Sequence, residues 1–196
     1  MSIHTDITAF VLAGGQSTRF QSDKSLQDWQ GHPLIQHIIQ QLESLFKTVM
    51  VIGKAQVDIP VLFDIHRDSG PLGGIHSGLY HSNTEWNFFV ACDMPFINAS
   101  IIEQLLQKCH SGTLAVVPEV DGWTIPTFAL YHKNAIESIE AQLQSKQLSP
   151  QTWLKTIPIE KIIEPQLRKI DPDLQSFINI NTLEDRKRAL RLLGNL

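Results

Sequence analysis

The sequence predicts an α/β fold, a doubly wound and mostly parallel sheet with helices on both faces. Three observations carry this. Short apolar runs stop abruptly at glycine or aspartate, amphipathic stretches of helical period lie between them, and the two alternate along most of the 196 residues. Parallel neighbours need right-handed crossovers, and ligands of such sheets bind beyond the carboxyl ends of the strands. The length and the 42% hydrophobic content suit one compact domain, residues 1–196.

Ile7 to Leu12 is an apolar run ending at Ala13-Gly14-Gly15, which reads as a buried parallel strand. Leu34, Ile35, Ile38, Ile39, Leu42, Leu45 and Phe46 recur at helical spacing, with Pro33 placed to occupy the first turn. Val49 to Ile52 and Val61 to Asp64 are the next strands. Gly70-Pro71-Leu72-Gly73-Gly74 should open a helix toward Tyr80. Phe88 to Cys92 has the character of a central strand and ends at Asp93-Met94-Pro95. Ser100 to Glu103 has the capping-box pattern, with Ile101, Ile102, Leu105 and Leu106 on the buried side of the helix that follows. Asn98-Ala99-Ser100, formally a glycosylation sequon, reads as the start of that helix.

Leu114 to Val117 is a strand, and Asp121-Gly122 is a tight turn leading into the extended run Thr127 to Tyr131. Lys133 to Ser145 is helical, Ile159 to Ile163 and Phe177 to Ile180 read as strands, and Thr182 to Leu193 is a last helix with Asp185 three residues after Thr182. Gln147 to Leu174 is the weakest stretch, polar and interrupted by proline, and is expected to form loops or a lid apart from its one strand.

The formal net charge of -4, without a long run of like charge, speaks against a nucleic-acid partner. The polar Met1 to Thr8 carries no export signal, and no apolar run is long enough to span a bilayer, so a cytoplasmic location away from membranes is expected. Cys92 and Cys109 lack metal-ligand spacing and read as reduced, partly buried thiols. The eight histidines form no metal pattern and read as surface or satisfied residues, and Trp29, Trp86, Trp123 and Trp153 read as packing residues.

The chemistry concentrates first in Leu12 to Lys24. Gly14 and Gly15 directly after a strand let the backbone approach a ligand and turn its N–H groups toward phosphate oxygens. Arg19 and Lys24 follow at a distance that lets the loop fold back over the same anion, where they would neutralise a triphosphate and a departing pyrophosphate. The segment matches neither the Walker loop nor the dinucleotide fingerprint. Asp93, at the end of an apolar strand, is placed to hold Mg²⁺, because magnesium needs only one or two protein carboxylates when phosphates and water complete its shell. Asp64 also ends an apolar run, with Asp68 close behind. Asp64 reads either as a contact to the nucleotide or the metal's water, or as a turn aspartate. Asn179 and Asn181 flank Ile180 on one face and are candidates for the acceptor substrate, while Asn181 is equally placed to cap the last helix.

Leu12-Ala-Gly-Gly-Gln-Ser-Thr-Arg-Phe-Gln-Ser-Asp-Lys-Ser-Leu26 resembles the opening motif of the molybdenum cofactor guanylyltransferases and their cytidylyltransferase relatives, and its Asp23-Lys24 pair separates it from sugar-nucleotide pyrophosphorylases. Further matching pieces lie in order along nearly the whole chain: Gly31 to Leu34, Gly70 to Gly74, Cys92 to Pro95, Pro126 to Tyr131 and Asn179 to Thr182. The resemblance implies a Rossmann-like nucleotidyltransferase fold and transfer of GMP from GTP to molybdenum-molybdopterin, with release of pyrophosphate. It implies that the backbone of Leu12, Ala13 and Gly14 holds the nucleotide, Lys24 contacts its phosphates, Asp64 sits beside it and Asp93 binds Mg²⁺. Molybdenum cofactor biosynthesis proteins and the target apoenzymes are the implied partners.

Three positions depart from the pattern. Gln21 and Ser22 stand where a glycine is usual, Ile52 or Gly53 where an asparagine often reads guanine, and uncharged Leu148 to Gln151 where the family is rich in arginine. The alternatives are a cytidylyltransferase, a sugar-phosphate nucleotidyltransferase, or a non-catalytic carrier of the cofactor.

Overall fold

The computed structural model describes residues 3–13, 28–29 and 31–193. Among them the main sheet has eight strands. In chain order the elements are β1 (His4–Ala13), the short pair β2 (Asp28–Trp29) and β3 (His32–Pro33), α1 (Leu34–Glu43), β4 (Phe46–Gly53), β5 (Val61–Leu62), α2 (Gly70–His81), β6 (Trp86–Ala91) and α3 (Ala99–Leu106). Then follow β7 (Ala115–Val120), β8 (Trp123–Thr124), β9 (Phe128–His132), α4 (Ile136–Gln144), α5 (Pro150–Leu154), β10 (Ile159–Ile163), α6 (Glu164–Leu167) and α7 (Leu183–Leu193).

The strand order is β10-β7-β9-β6-β1-β4-β5, with β8 hairpinned onto β7. Every neighbouring pair along this order is parallel except those made by β9. The exception follows from the turn after β7. Asp121 (φ 51°) and Gly122 (φ 76°) are both left-handed, the conformation of a two-residue hairpin turn, and so short a turn leaves no room for a crossover.

Both faces of the sheet are covered, which is why its strands read as unbroken apolar runs. In β1, Ala9 and Val11 join one core with Leu34, Ile38 and Leu42 of α1 and Ile101 and Leu105 of α3. Phe10 and Leu12 join the other, with Leu72, Ile75 and Leu79 of α2, Ile139 of α4 and Trp153 of α5. Helix α2 lies unusually close to the sheet. A Cβ on Gly78 would stand 2.6 Å from Phe89 Cε1 and 2.7 Å from Ile52 Cδ1. No helix of the described residues is long and apolar enough to cross a membrane.

Several sequence expectations need correction. Phe177 to Ile180 is not a strand. A 3-10 turn, Gln175–Phe177, precedes an extended segment outside the sheet. Buried Asp171 causes this, because its carboxylate accepts the N–H groups of Gln175 (3.0 Å) and Ser176 (2.8 Å) and so holds a turn. Gln147 to Leu174 is more than loops: besides β10 it contains α5 and α6, and α5 is started by Pro150 and by Ser149, whose hydroxyl accepts the Thr152 N–H. Helix α3 does start within Asn98-Ala99-Ser100, but its cap is Asn98 and not Ser100: the Asn98 side chain accepts the Ser100 N–H at 3.0 Å. Pro33 is the residue before α1 and not its first turn.

Candidate active site at the carboxyl edge

Strand β1 ends between β4 and β6, with Leu12 opposite both Ile52 and Ala91, and Ala13 opposite Gly53. The β1–β6 pairing runs one step further, since the Cys92 N–H donates to Leu12 O at 3.1 Å. Cys92 is therefore level with Ala13, and Asp93 is the next residue, in the turn that leaves the sheet. The segment that follows β1 and the mid-chain carboxylate thus start from adjacent strand ends. Gly14, Gly15, Arg19 and Lys24 themselves lie outside the described residues.

The third element arrives from the far end of the sequence. Ile180 N–H donates to Asp93 O at 2.8 Å. Ile180 is buried in the core, and Asn179 and Asn181 on either side of it are exposed. One backbone hydrogen bond thus brings the Asn179–Asn181 segment alongside Asp93. Thr182 and not Asn181 supplies the cap of α7. Its hydroxyl accepts the Asp185 N–H (3.0 Å), while the Asp185 carboxylate accepts the N–H groups of Asn181 (3.0 Å) and Thr182 (2.8 Å).

Asp64 lies on the β4–β5 side of the same edge. Around Gly74 of α2, a Cβ would be 2.9 Å from Leu12 Cδ2, 3.7 Å from Asp64 Oδ1 and 3.8 Å from Ile52 Cγ2. Glycine here lets the helix, the two strand ends and the carboxylate close on one point. Asp64 Oδ1 is buried and has no hydrogen-bond partner among the described residues, and burial raises its carboxyl group above the usual carboxylate pKa. A buried acceptor without a partner among the described residues calls for a donor from elsewhere, and a bound ligand is one source. The Ile52 side chain is in the core, so only its main chain can serve a ligand. Gly53, with φ 120°, has a backbone suited to glycine, which accounts for the missing asparagine there.

Other side chains depart from expectation. His76 is buried in α2, and while its Nε2 meets Glu140 Oε1 at 3.2 Å, its buried Nδ1 lacks a partner among the described residues, so it is not fully satisfied. Trp29 and Trp153 are core residues as expected, but Trp123 is 66% exposed and is not a packing residue. Neither cysteine forms a disulfide among the described residues, both are partly buried, and burial pushes the Cys109 thiol up to about 12.

Sequence reasoning missed three supporting residues. Thr127 O accepts the Ala91 N–H (2.9 Å), and its hydroxyl meets Met94 Sδ (3.8 Å), which braces the turn that carries Asp93. Asp171 shapes the approach to Ile180, and Gln151 holds both the hydroxyl and the carbonyl of Thr124. Only Asp171-Pro172-Asp173 announces itself, as a turn signal; the other two act through contacts distant in sequence.

Residues 9–161 match the MobA-like NTP transferase domain. A molybdenum cofactor guanylyltransferase from Syntrophotalea carbinolica is 34% identical over 190 residues, 94% of this chain and 90% of the relative. A probable molybdenum cofactor guanylyltransferase from Bacillus cereus is 33% identical over 195 residues, 94% and 96% of the two chains. The solved structure of molybdopterin-guanine dinucleotide biosynthesis protein A from Archaeoglobus fulgidus superimposes with a TM-score of 0.84 at 25% identity, covering 96% of this chain and all of that one. The sheet order, the edge geometry and these likenesses agree: the chain belongs to the MobA-like NTP transferase family of nucleotidyltransferases.

Proposed function

We propose that the chain, acting as one nucleotidyltransferase domain, transfers GMP from GTP to molybdenum-molybdopterin and releases pyrophosphate. A terminal phosphate oxygen of the acceptor attacks the α-phosphorus, the bond from that phosphorus to the β-bridging oxygen breaks, and pyrophosphate departs with the electron pair. No protein nucleophile is needed, because the acceptor phosphate is already an anion. The protein's work is alignment and charge stabilisation.

The observation that carries this reading is the meeting of Ala13, Asp93 and Ile180 at one edge, from three distant parts of the sequence. Main-chain groups from Leu12 to Gly15 face the phosphates, Arg19 and Lys24 neutralise them, and Asn179 and Asn181 take the acceptor. Among the described residues no three His, Cys, Asp or Glu side chains converge. A Mg²⁺ ion at Asp93 would therefore take its other ligands from phosphates and water, the set this hard cation prefers. Bound there, it would supply charge neutralisation at the phosphates.

Asp64 is the group we assign to guanine. Guanine presents adjacent N1–H and amino N–H donors, and the partnerless Oδ1 is an acceptor for them. Cytosine offers only its amino group. A cytoplasmic setting, and delivery of the product to cofactor-biosynthesis proteins and target apoenzymes, belong to the same proposal. The test is release of pyrophosphate from GTP in the presence of acceptor and magnesium. Asp93→Ala should abolish it in a folded protein, and persistence of turnover in that variant would overturn the assignment.

A further inference from the structure

Trp123 is the first residue of β8, the return strand of the Asp121-Gly122 hairpin, and is 66% exposed. A lone exposed aromatic is ordinary on a protein surface. This one differs in how firmly its support is fixed. Trp123 pairs with Val120 and Thr124 with Glu119 in β7, and the turn uses two left-handed residues, Asp121 and Gly122. The Asp121 N–H donates to Glu164 Oε2 (2.9 Å), and the Ile125 N–H donates to Pro118 O (2.9 Å). Thr124 is gripped twice by Gln151, and the Tyr131 hydroxyl donates to Pro126 O (2.7 Å). A large planar side chain is thus held in water on a backbone with little freedom left, the arrangement that lowers the ordering cost of binding.

Its position is equally specific. The hairpin rises from the carboxyl end of β7, the same edge that carries Asp93 after β6. Only β9 lies between β7 and β6, which sets the hairpin about 10 Å from the Asp93 strand at two strand spacings. Thr127, four residues after Trp123, is bonded directly to Ala91 and Met94 around Asp93. Val120, cross-strand partner of Trp123, packs on the core that also holds Ile180, so the hairpin and the Asn179–Asn181 segment serve the same face. Asp64 lies in the opposite direction along the edge, past β4. Base site, phosphate site and hairpin therefore follow one another across the sheet.

We propose that Trp123 is a specificity-determining residue that stacks on the fused heterocycle of the acceptor while the acceptor's phosphate reaches the Asp93 end. The inference rests on the functional reading above and adds to it the group that selects a planar, pterin-bearing phosphate over other phosphate esters. Stacking of a heterocycle on an aromatic side chain is lost on truncation to alanine and partly kept by another aromatic ring.

The test compares the unsubstituted protein, Trp123→Ala and Trp123→Phe in pyrophosphate release, with molybdenum-molybdopterin as acceptor and 6-hydroxymethylpterin as a competing probe. Trp123→Ala should raise the acceptor KM about tenfold or more and lose inhibition by the pterin, with the GTP KM and the melting temperature unchanged. Trp123→Phe should recover part of the loss. An unchanged acceptor KM and unchanged pterin inhibition in Trp123→Ala would overturn the role of Trp123 while leaving the guanylyl transfer intact. Absence of GTP-dependent turnover in the unsubstituted protein would overturn the functional reading, and this inference with it.

Discussion

Replacing Asp64 should make the nucleotide-free protein more stable and the nucleotide complex weaker, a pairing of effects that few substitutions produce. The buried Oδ1 has no partner among the described residues, and an unsatisfied buried polar group costs about 1–3 kcal/mol. Asp64 as a residue is only half-buried, so the low end applies, about 1 kcal/mol. For a protein of this length Asp64→Ala should therefore raise the melting temperature without ligand by about 2–4 °C. With GTP the sign reverses. Hydrogen bonds to a charged group are worth about 1.5–3 kcal/mol each, and loss of the guanine contacts should weaken GTP binding about 100-fold.

The pH dependence follows from the same burial. Desolvation raises the folded-state pKa of Asp64 above its usual value, so the folded protein holds this proton more tightly than the unfolded chain does. The stability this contributes is present below the unfolded pKa and is lost as pH rises through the raised one. Asp64→Asn, which does not ionise, should thus gain on the unsubstituted protein over that window, just above the ordinary carboxylate range. GTP affinity of the unsubstituted protein should rise over the same window as the acceptor becomes fully charged. Thermal unfolding with and without GTP and magnesium, from pH 4 to 7, measures all of this. A variant that melts lower without nucleotide, or binds GTP as tightly as before, would refute the reasoning.

Three other perturbations test the supports of the site. Gly78→Ala gains about 1 kcal/mol of helix propensity, yet its Cβ would meet Phe89 and Ile52 within 2.7 Å. Overpacking of about 1–3 kcal/mol should outweigh the gain, and denaturant titration should show net destabilisation. Asp171→Ala removes two charge-assisted hydrogen bonds from a buried carboxylate and should cost about 2–3 kcal/mol in the same titration. Its released turn should also raise the acceptor KM more than the GTP KM. Thr182→Ala should cost about 1 kcal/mol through loss of the α7 cap, read by chemical denaturation. The hydrogen bond with Thr182 leads the effects that depress the Asp185 carboxyl pKa, so the anchoring of α7 should fade as pH falls below the usual carboxylate value.

The sequence shows most plainly what local patterning determines. β1 and β6 are apolar because both their faces are covered, and they end at Ala13 and at Ala91, two residues before Asp93. The turn at Asp121-Gly122 was legible because its two left-handed residues suit that dipeptide. Where the reading failed, a distant partner overrode local preference. Phe177 to Ile180 has strand-forming residues, but Asp171 turns the chain and Asp93, not a sheet neighbour, takes the Ile180 amide. Ser100 and Glu103 form a capping box in sequence, yet Asn98 caps first and Glu103 reaches His4 instead. The orphaned Asp64 oxygen, the grip of Gln151 on Thr124 and the exposure of Trp123 leave no trace in a single sequence, because each is a property of elements packed from far apart.

We propose that one polyphosphate lies between the end of β1 and Asp93. A crystal structure with GTP and Mn²⁺ tests it most directly, since the anomalous signal locates the ion independently of the protein. The ion should be in direct contact with the Asp93 carboxylate and the phosphates against the main chain after Leu12. An ion and phosphates bound elsewhere, with Asp93 unengaged, would contradict it.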